Sequence, residues 1–575
     1  MRPTMTPHAA RLPLPFSRLT CAVLLLAIIG LWLANIGHRV LQHPDEGRYA
    51  EIAREMAVTG DWVTPRLDGL KYFEKPPLQY WITAATFRVF GAHEWTARLW
   101  PVIAGMVAAL AIAWAGVRLG GPLLGLAAGL ALAGTLWQVA LSQILTLDAM
   151  LSALLAVGFA AFVVAQRAEA TFASRRAAMW LTWAAMAGAT LTKGLIGVVI
   201  PGAVLVLYAL INRDFKVWRR LHLASGIGLY LFLTAPWFVL VGAANPEFFD
   251  FFFIHEHFQR FLTNTHRRNG SLLYFVPLLA AGLLPWLTLL LFGVRRAWQE
   301  GVPNALGFSW QRFALVWAAF VFVFFSVSGS KLPSYILPMF PPLALIAGWL
   351  LVQIPTRRLA QLTLPLTVAA TALALGMLVA YPQAAAHLAD DRQPMSTLLA
   401  FRPWLTLAVF AAAGGGALAV LLFRSSTERS RFAAITALSL STLIATQLIV
   451  AGLDSFRTTR SSYDILGQAA AQLADPSMLS SHEIPFFQVR MYDQTAPFYL
   501  KRTMTLVDFK DELSLGIDAQ PELAINDSGD WTRRWTGLVR GFALLSPADF
   551  EQFQKAGVPM RELARDTRRV IVSRQ

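Results

Sequence analysis

Apolar stretches of about 18 to 24 residues recur along most of this chain, each long enough to cross roughly 30 Å of hydrocarbon as an α-helix. Short polar connections separate them, so each stretch can satisfy its own backbone hydrogen bonds within lipid. The pattern predicts about thirteen spans, over residues 19–36, 98–117, 121–140, 146–166, 176–192, 194–212, 223–243, 272–294, 313–329, 335–354, 359–381, 403–423 and 432–452. Only "TLTKG" divides the fifth from the sixth. The first run lacks a clear small-residue cleavage site and reads as a retained span rather than a signal peptide. The expected fold is therefore an all-α polytopic membrane protein over residues 1–452, followed by a small soluble α/β domain over 453–575.

In that second part the period changes. "FFQVRMY", "FALLS" and "RRVIVS" read as strands, and "SYDILGQAAAQL" and "PADFEQFQKAG" as helices. The tail contains no metal-ligand spacing, phosphate-binding glycine loop or nucleophile elbow, and reads as a lid or docking platform. No internal repeat is evident, which argues against transporter folds built from repeated halves.

Composition agrees with the membrane reading. Of 575 residues, 56% are hydrophobic and 14% charged, and the mean hydropathy is +0.51. The net charge of +15 does not form the stripe that a nucleic-acid footprint requires. Instead the arginines and lysines fill alternate loops: Arg118, then Arg167, Arg175 and Arg176, then Arg213, Lys216, Arg219 and Arg220, and so on to Arg424, Arg429 and Arg431. By the positive-inside rule the N-terminus is cytoplasmic, and an odd number of spans puts the C-terminus outside. Cys21, the single cysteine, lies within the first span and reads as a small packing residue.

Segments 37–97 and 244–271, together with the tail, are long enough to carry chemistry, and all fall on the extracytoplasmic side. "HPDEGRYAEIAREMAVTG" predicts a helix with Pro44 at its start, Tyr49, Ile52, Ala53, Met56 and Ala57 on its apolar face, and Gly60 as cap. Such a helix would lie on the membrane with Glu51, Arg54 and Glu55 turned away from it. Asp45 and Glu46 sit in its first turn, where the helix dipole favours a carboxylate. Taken alone, an acidic pair there is more often simple capping.

"YFEKPPLQYW" follows. Pro76 and Pro77 end whatever precedes them and start a second, aromatic-anchored surface helix, which holds Glu74 and Lys75 near the bilayer surface. Lys75 can meet a lipid phosphate there, or simply snorkel. Asp148 in "LTLDAML" and Lys193 in "TLTKG" stand at outer ends of spans, where ionisable groups are costly and become candidates for function or for mutual pairing. His255 and His257 of "IHEH", with Glu74, offer the imidazole and carboxylate ligands that zinc or another divalent ion accepts. Hydrogen-bonded loop histidines are the plainer alternative.

The succession "HPDEGRYAEIAREM", "GDWVTPRLDGLKYFEKPPLQYW" and "ARLWP" resembles the bacterial aminoarabinose transferases. These belong to the integral-membrane, lipid-phosphate-dependent glycosyltransferases of GT-C type, which also include the protein O-mannosyltransferases. The resemblance covers roughly residues 15–450 and implies transfer of 4-amino-4-deoxy-L-arabinose from undecaprenyl phosphate to lipid A phosphates at the periplasmic face of the inner membrane. Resistance to polymyxin and other cationic antimicrobial peptides would follow. The implied partners are the donor lipid, lipid A and membrane lipids, with no nucleic acid; no metal is required by the reaction.

The resemblance also implies roles. Asp45 matches the catalytic aspartate of the first-loop motif, and Asp148 the acidic residue at the fourth span. The departing undecaprenyl phosphate must be neutralised, a task that falls to Lys75, helped by Arg48, by Arg260 of "IHEHFQRFLTNTHRRNG" and by Lys193, with Tyr335 of "SKLPSYILP" donating a further hydrogen bond. A lipid A phosphate is already ionised near neutral pH, so Asp45 is expected to orient the acceptor or to stabilise charge on the sugar rather than remove a proton. Rival readings are a related transferase with another sugar or a protein acceptor, and an anionic-lipid transporter. The latter predicts charges near the midplane of several spans, whereas here they gather at outer ends.

Overall fold

The structure, a computed structural model, describes residues 15, 17–259, 270–390 and 393–574, without the side chains of Arg18 and residues 255–259. Each apolar run is occupied by helix. In order these begin with α1 (Arg18–Leu33), α2 (Asp45–Thr59), α3 (Leu78–Phe90), α4 (Glu94–Gly120), α5 (Pro122–Ala133), α6 (Leu136–Ser142), α7 (Leu147–Ala165), α8 (Phe172–Lys193), α9 (Ile196–Asn212) and α10 (Leu223–Ala244). Further apolar helices follow up to Glu428–Gly452.

Among the described residues, eight helices are individually long and apolar enough to span a membrane. Two expected spans are broken. The helices α5 and α6 meet at 59° around Gly134 and Thr135, and Phe275–Gly282 and Leu287–Glu300 meet at 101°. Pro285 lies in the second break, where its missing N–H cannot continue a helix. The runs at α1 and α9 form shorter apolar helices.

The first long loop is ordered as predicted along the chain. Pro44 is the residue before α2, and Gly60 ends it in the left-handed conformation with φ 74°. A two-residue Asp68-Gly69 turn, both residues at positive φ, then joins β1 (Arg66–Leu67) to β2 (Leu70–Lys71). Pro77 precedes α3. The loop docks on the end of α10 and the segment after it: Trp237 Nε1 donates to Val63 O at 3.0 Å, Asn245 Nδ2 to Thr64 Oγ1 at 3.0 Å, and Lys71 pairs with Glu247 at 2.8 Å.

The polar side of α2 is a correction to the sequence reading. Glu51, Arg54 and Glu55 are buried rather than solvated. What meets them is the β1–β2 turn and the C-terminal segment: Gly69 N–H donates to Glu55 Oε2 at 2.9 Å, Arg54 Nη1 donates to Lys501 O at 3.3 Å, and Met504 N–H ties the turn down through Asp68 Oδ1 at 2.6 Å. Gly47 permits this approach, because a Cβ there would stand 2.6 Å from Gln494 O.

That segment folds around six strands: β3 (Phe486–Val489), β4 (Thr505–Val507), β5 (Ala524–Ile525), β6 (Phe542–Leu545), β7 (Arg561–Arg565) and β8 (Val570–Ser573). Their order is β5-β4-β3-β6-β8-β7, parallel from β5 to β6 and antiparallel at β8 and β7. The strands β3, β6 and β8 are buried throughout and, apart from Gln488 and Ser573, apolar, as a sheet covered on both faces requires. Leu506, Leu513 and Ile517 share one apolar core with Ile52, Tyr72 and Tyr80 of the first loop and with Leu145 and Leu147 at the start of α7.

Candidate active site

The acidic pair at the start of α2 is divided between two tasks. Glu46 points inward. Arg98 of α4 holds it through Nε at 2.7 Å and Nη2 at 2.8 Å, Arg39 stands 3.5 Å away, and the backbone N–H groups of Gln42 and Leu145 donate to it at 3.1 and 3.2 Å. Burial alone would raise the Glu46 carboxyl, but the two guanidiniums outweigh it and hold the group at about 2. Arg98 also donates to the carbonyls of Arg39 and Val40, so Glu46 and Arg98 together clamp the entry to α2 against α4.

Asp45 points outward, with 35% of its side chain exposed. Arg48 Nη1 donates to Asp45 Oδ1 at 2.8 Å, and its Nη2 pairs with Glu512 of the C-terminal segment, which Gln494 Nε2 engages at 2.6 Å. Arg48 is therefore occupied by two carboxylates and fixes the Asp45 rotamer. Around it lie Tyr49, Tyr72 and Tyr80. The Tyr72 and Tyr80 hydroxyls are buried with no hydrogen-bond partner, and after burial itself the charge of Glu74 contributes most to raising both above the usual phenol range. Orphaned buried donors are costly unless something arrives to use them. Lys75 Nζ donates to Glu74 O at 2.6 Å and lies 3.9 Å from Glu74 Oε2.

A second cluster forms at the N-terminal end of α7. Asp148 pairs with Lys193, the last residue of α8, and accepts from Ser334 Oγ at 2.8 Å. The Lys193 ammonium stands 4.5 Å from the centre of the Tyr335 ring. Trp137 Nε1 and Trp317 Nε1 anchor this stretch by donating to Pro333 O and Pro338 O at 3.0 and 3.1 Å. The two clusters are joined through the chain: Leu145 N–H reaches Glu46, and Asp148 follows three residues later.

Of the residues singled out by sequence, the structure thus gathers Asp45, Arg48, Glu74 and Lys75 in one group and Asp148, Lys193 and Tyr335 in another. Arg260 lies outside the described residues, as do the side chains of His255 and His257, so the expected metal set is represented only by Glu74. Among the described residues no group of three or more His, Cys, Asp or Glu side chains could hold a metal ion. Sequence reasoning missed Glu512 and Ser334, and passed over Tyr72 and Tyr80 as anchors. Arg98 opens the expected span 98–117, and an arginine at the start of an apolar span signals a buried partner. An apolar cavity of about 440 Å³ between α1, α4 and α5 is lined by no charged side chain, and offers nothing to a phosphate.

The chain superposes on the crystal structure of ArnT from Cupriavidus metallidurans bound to undecaprenyl phosphate with a TM-score of 0.90, at 35% identity, covering 97% of this chain and 99% of that one. It belongs to the aminoarabinose transferase family. The apo structure of the same ArnT matches with a TM-score of 0.87. Residues 473–574 match the aminoarabinose transferase C-terminal domain, and residues 18–257 match the dolichyl-phosphate-mannose-protein mannosyltransferase family.

Curated aminoarabinose transferases, named undecaprenyl phosphate-alpha-4-amino-4-deoxy-L-arabinose arabinosyl transferase, are 34% identical over 335 residues in Erwinia tasmaniensis and 34% over 332 residues in Aeromonas salmonicida. Those alignments cover 55% and 57% of this chain, and the chain spans 56% and 59% of the two relatives' length. The polytopic helical fold with a C-terminal sheet is thus the aminoarabinose transferase fold, as the first-loop motifs implied.

Proposed function

We propose that this chain moves 4-amino-4-deoxy-L-arabinose from undecaprenyl phosphate to phosphate groups of lipid A. The observation that supports this most is the near full-length match to a transferase solved with undecaprenyl phosphate. Residues 1–452 form the membrane-embedded catalytic part and 453–575 an extracytoplasmic domain closing over the first loop. The protein sits in the bacterial inner membrane with its N-terminus in the cytoplasm and the site on the periplasmic face, in line with the alternating basic loops.

In this reading an oxygen of the acceptor phosphate bonds to the anomeric carbon as the bond from that carbon to the donor phosphate oxygen breaks. The electron pair leaves with undecaprenyl phosphate. Lys75, with Arg260, neutralises that leaving group, Lys193 lends positive charge from the α8 terminus, and Tyr335 donates a hydrogen bond. Asp45, held by Arg48, faces the sugar, where it pairs with the amino group or with charge developing at the anomeric carbon. Tyr72 and Tyr80 offer their unsatisfied hydroxyls to sugar or phosphate oxygens. Asp148 fixes Lys193 and Ser334. The chemistry uses the chain's own cations, and a metal at Glu74, His255 and His257 would serve to join two loops.

Adding an amine to lipid A lowers its negative charge, and with it the attraction of polymyxin and other cationic peptides. The test is a mass spectrum of lipid A from cells lacking their own transferase, supplied with this protein or with Asp45→Ala at matched membrane levels. An aminoarabinose-sized addition with the parent alone is the expected result. A different added mass would replace the sugar, and no addition in the presence of donor lipid would remove the proposal.

A further inference from the structure

Lys331 lies two residues before the short helix Pro333–Met339 that carries Ser334 and Tyr335, and it is only 7% exposed. Among the described residues its ammonium meets a single acceptor, the Ser328 carbonyl at 2.7 Å, and no carboxylate. Asp148, which meets Ser334 of the same stretch, is engaged by Lys193 and by Ser334. Among the described residues the buried Lys331 charge therefore has no carboxylate partner. A buried ammonium with one neutral acceptor is strongly unfavourable unless an anion completes it.

Two neighbours point the same way. The Ser330 hydroxyl is buried without a hydrogen-bond partner. Gly270 packs against the lysine stem, where a Cβ would stand 3.1 Å from Lys331 Cδ and crowd it.

We infer that Lys331 binds substrate: its ammonium, with the Ser330 hydroxyl, takes an oxygen of a lipid-linked phosphate beside the Asp148–Lys193–Tyr335 cluster. This rests on the transfer reading above. The phosphate belongs either to the polyprenyl donor or to the lipid A acceptor, and the chemistry at Lys331 is the same for both.

The competing role is a helix cap, because Ser328 follows the last residue of the helix Trp310–Val327. Lys331→Gln separates the two, since the amide keeps a donor for Ser328 O and loses the charge; Lys331→Arg keeps the charge. Binding is measured in phosphatidylcholine nanodiscs with undecaprenyl phosphate, with neutral undecaprenol and with lipid A as separate probes. The glutamine variant should bind one of the two phosphates at least about tenfold more weakly, a loss in keeping with one charge-assisted hydrogen bond, with undecaprenol unchanged and the arginine variant restored.

Loss for undecaprenyl phosphate assigns the residue to the donor, and loss for lipid A to the acceptor. Unchanged binding of both phosphates by a folded glutamine variant overturns the inference. In the unsubstituted protein, solid-state dephasing of the Lys331 Nζ signal by the phosphorus of bound lipid is an independent reading, and its absence with both lipids also overturns it. A parent that does not prefer undecaprenyl phosphate to undecaprenol would sink the transfer reading itself, and this inference with it.

Discussion

Arg48 stands between two carboxylates, donating to Asp45 Oδ1 at 2.8 Å on one side and pairing with Glu512 of the C-terminal segment on the other. The outward-facing acid of the first loop is thus positioned by a residue that the distant end of the chain holds in place.

Glu512→Gln should lower transfer by roughly tenfold, because it removes the charge that orients Arg48 while leaving Asp45 present. Asp45→Asn should lower it much further. Initial rates on lipid A in detergent, at saturating donor, would separate the two. Equal loss in both variants would mean that Glu512 acts on substrate directly rather than through Arg48.

Glu46 has a different kind of importance. Glu46→Gln leaves the Arg98 and Arg39 guanidiniums buried without their carboxylate, a change that costs about 3–5 kcal/mol. The expected outcome is low yield and a clearly lower melting temperature in detergent, before any assay of activity. A variant that melted like the parent would show that the carbonyls of Arg39 and Val40 suffice for Arg98.

Asp148 and Lys193 should behave as a unit. If Asp148 acts by placing Lys193, then Asp148→Asn and Lys193→Gln each lower transfer strongly, and the double variant loses little more than either alone. Rates for the three variants form the cycle. Additive losses would give the two residues separate roles.

A pH dependence follows from the buried face of α2. Burial, with the neighbouring Glu51 charge, pushes Glu55 from 4.5 up to about 8, and burial raises Asp68 beyond the usual carboxylate range although Met504 N–H opposes it. Glu51, Arg54 and Tyr492 of the C-terminal segment complete the surroundings. Between 4.5 and about 8 the folded protein therefore holds a proton at Glu55 that the unfolded chain has released. Stability must fall as pH rises through that window and level off above it. The melting temperature should drop by about 2 °C or more from pH 5 to pH 8.5, with a flatter profile in Glu55→Gln. A profile that rises with pH would contradict a Glu55 carboxyl raised by burial.

Much of this architecture could be read before any coordinates. Runs of apolar residues specify membrane helices locally, because each must satisfy its own backbone in lipid whatever its neighbours do. The start of α2 after Pro44, its end at Gly60 and the start of α3 after Pro77 follow from the stereochemistry of proline and glycine. Three of the six tail strands, β3, β6 and β8, were visible as short, largely apolar runs because each is buried throughout, whereas β4, β5 and the mostly exposed β7 gave no such run.

Burial of polar side chains was another matter. The amphipathic pattern of α2 correctly marked one apolar face, but Glu51, Arg54 and Glu55 look identical in sequence whether water or protein covers them. Here Arg54 meets Lys501, hundreds of residues away, and charge pairs such as Arg98–Glu46, Arg48–Glu512 and Lys193–Asp148 likewise join residues with no local relation. Periodicity and turn chemistry act over a few residues and are written in the chain. Which carboxylate neutralises which cation depends on distances that exist only once the helices have packed, and so belongs to the tertiary structure alone.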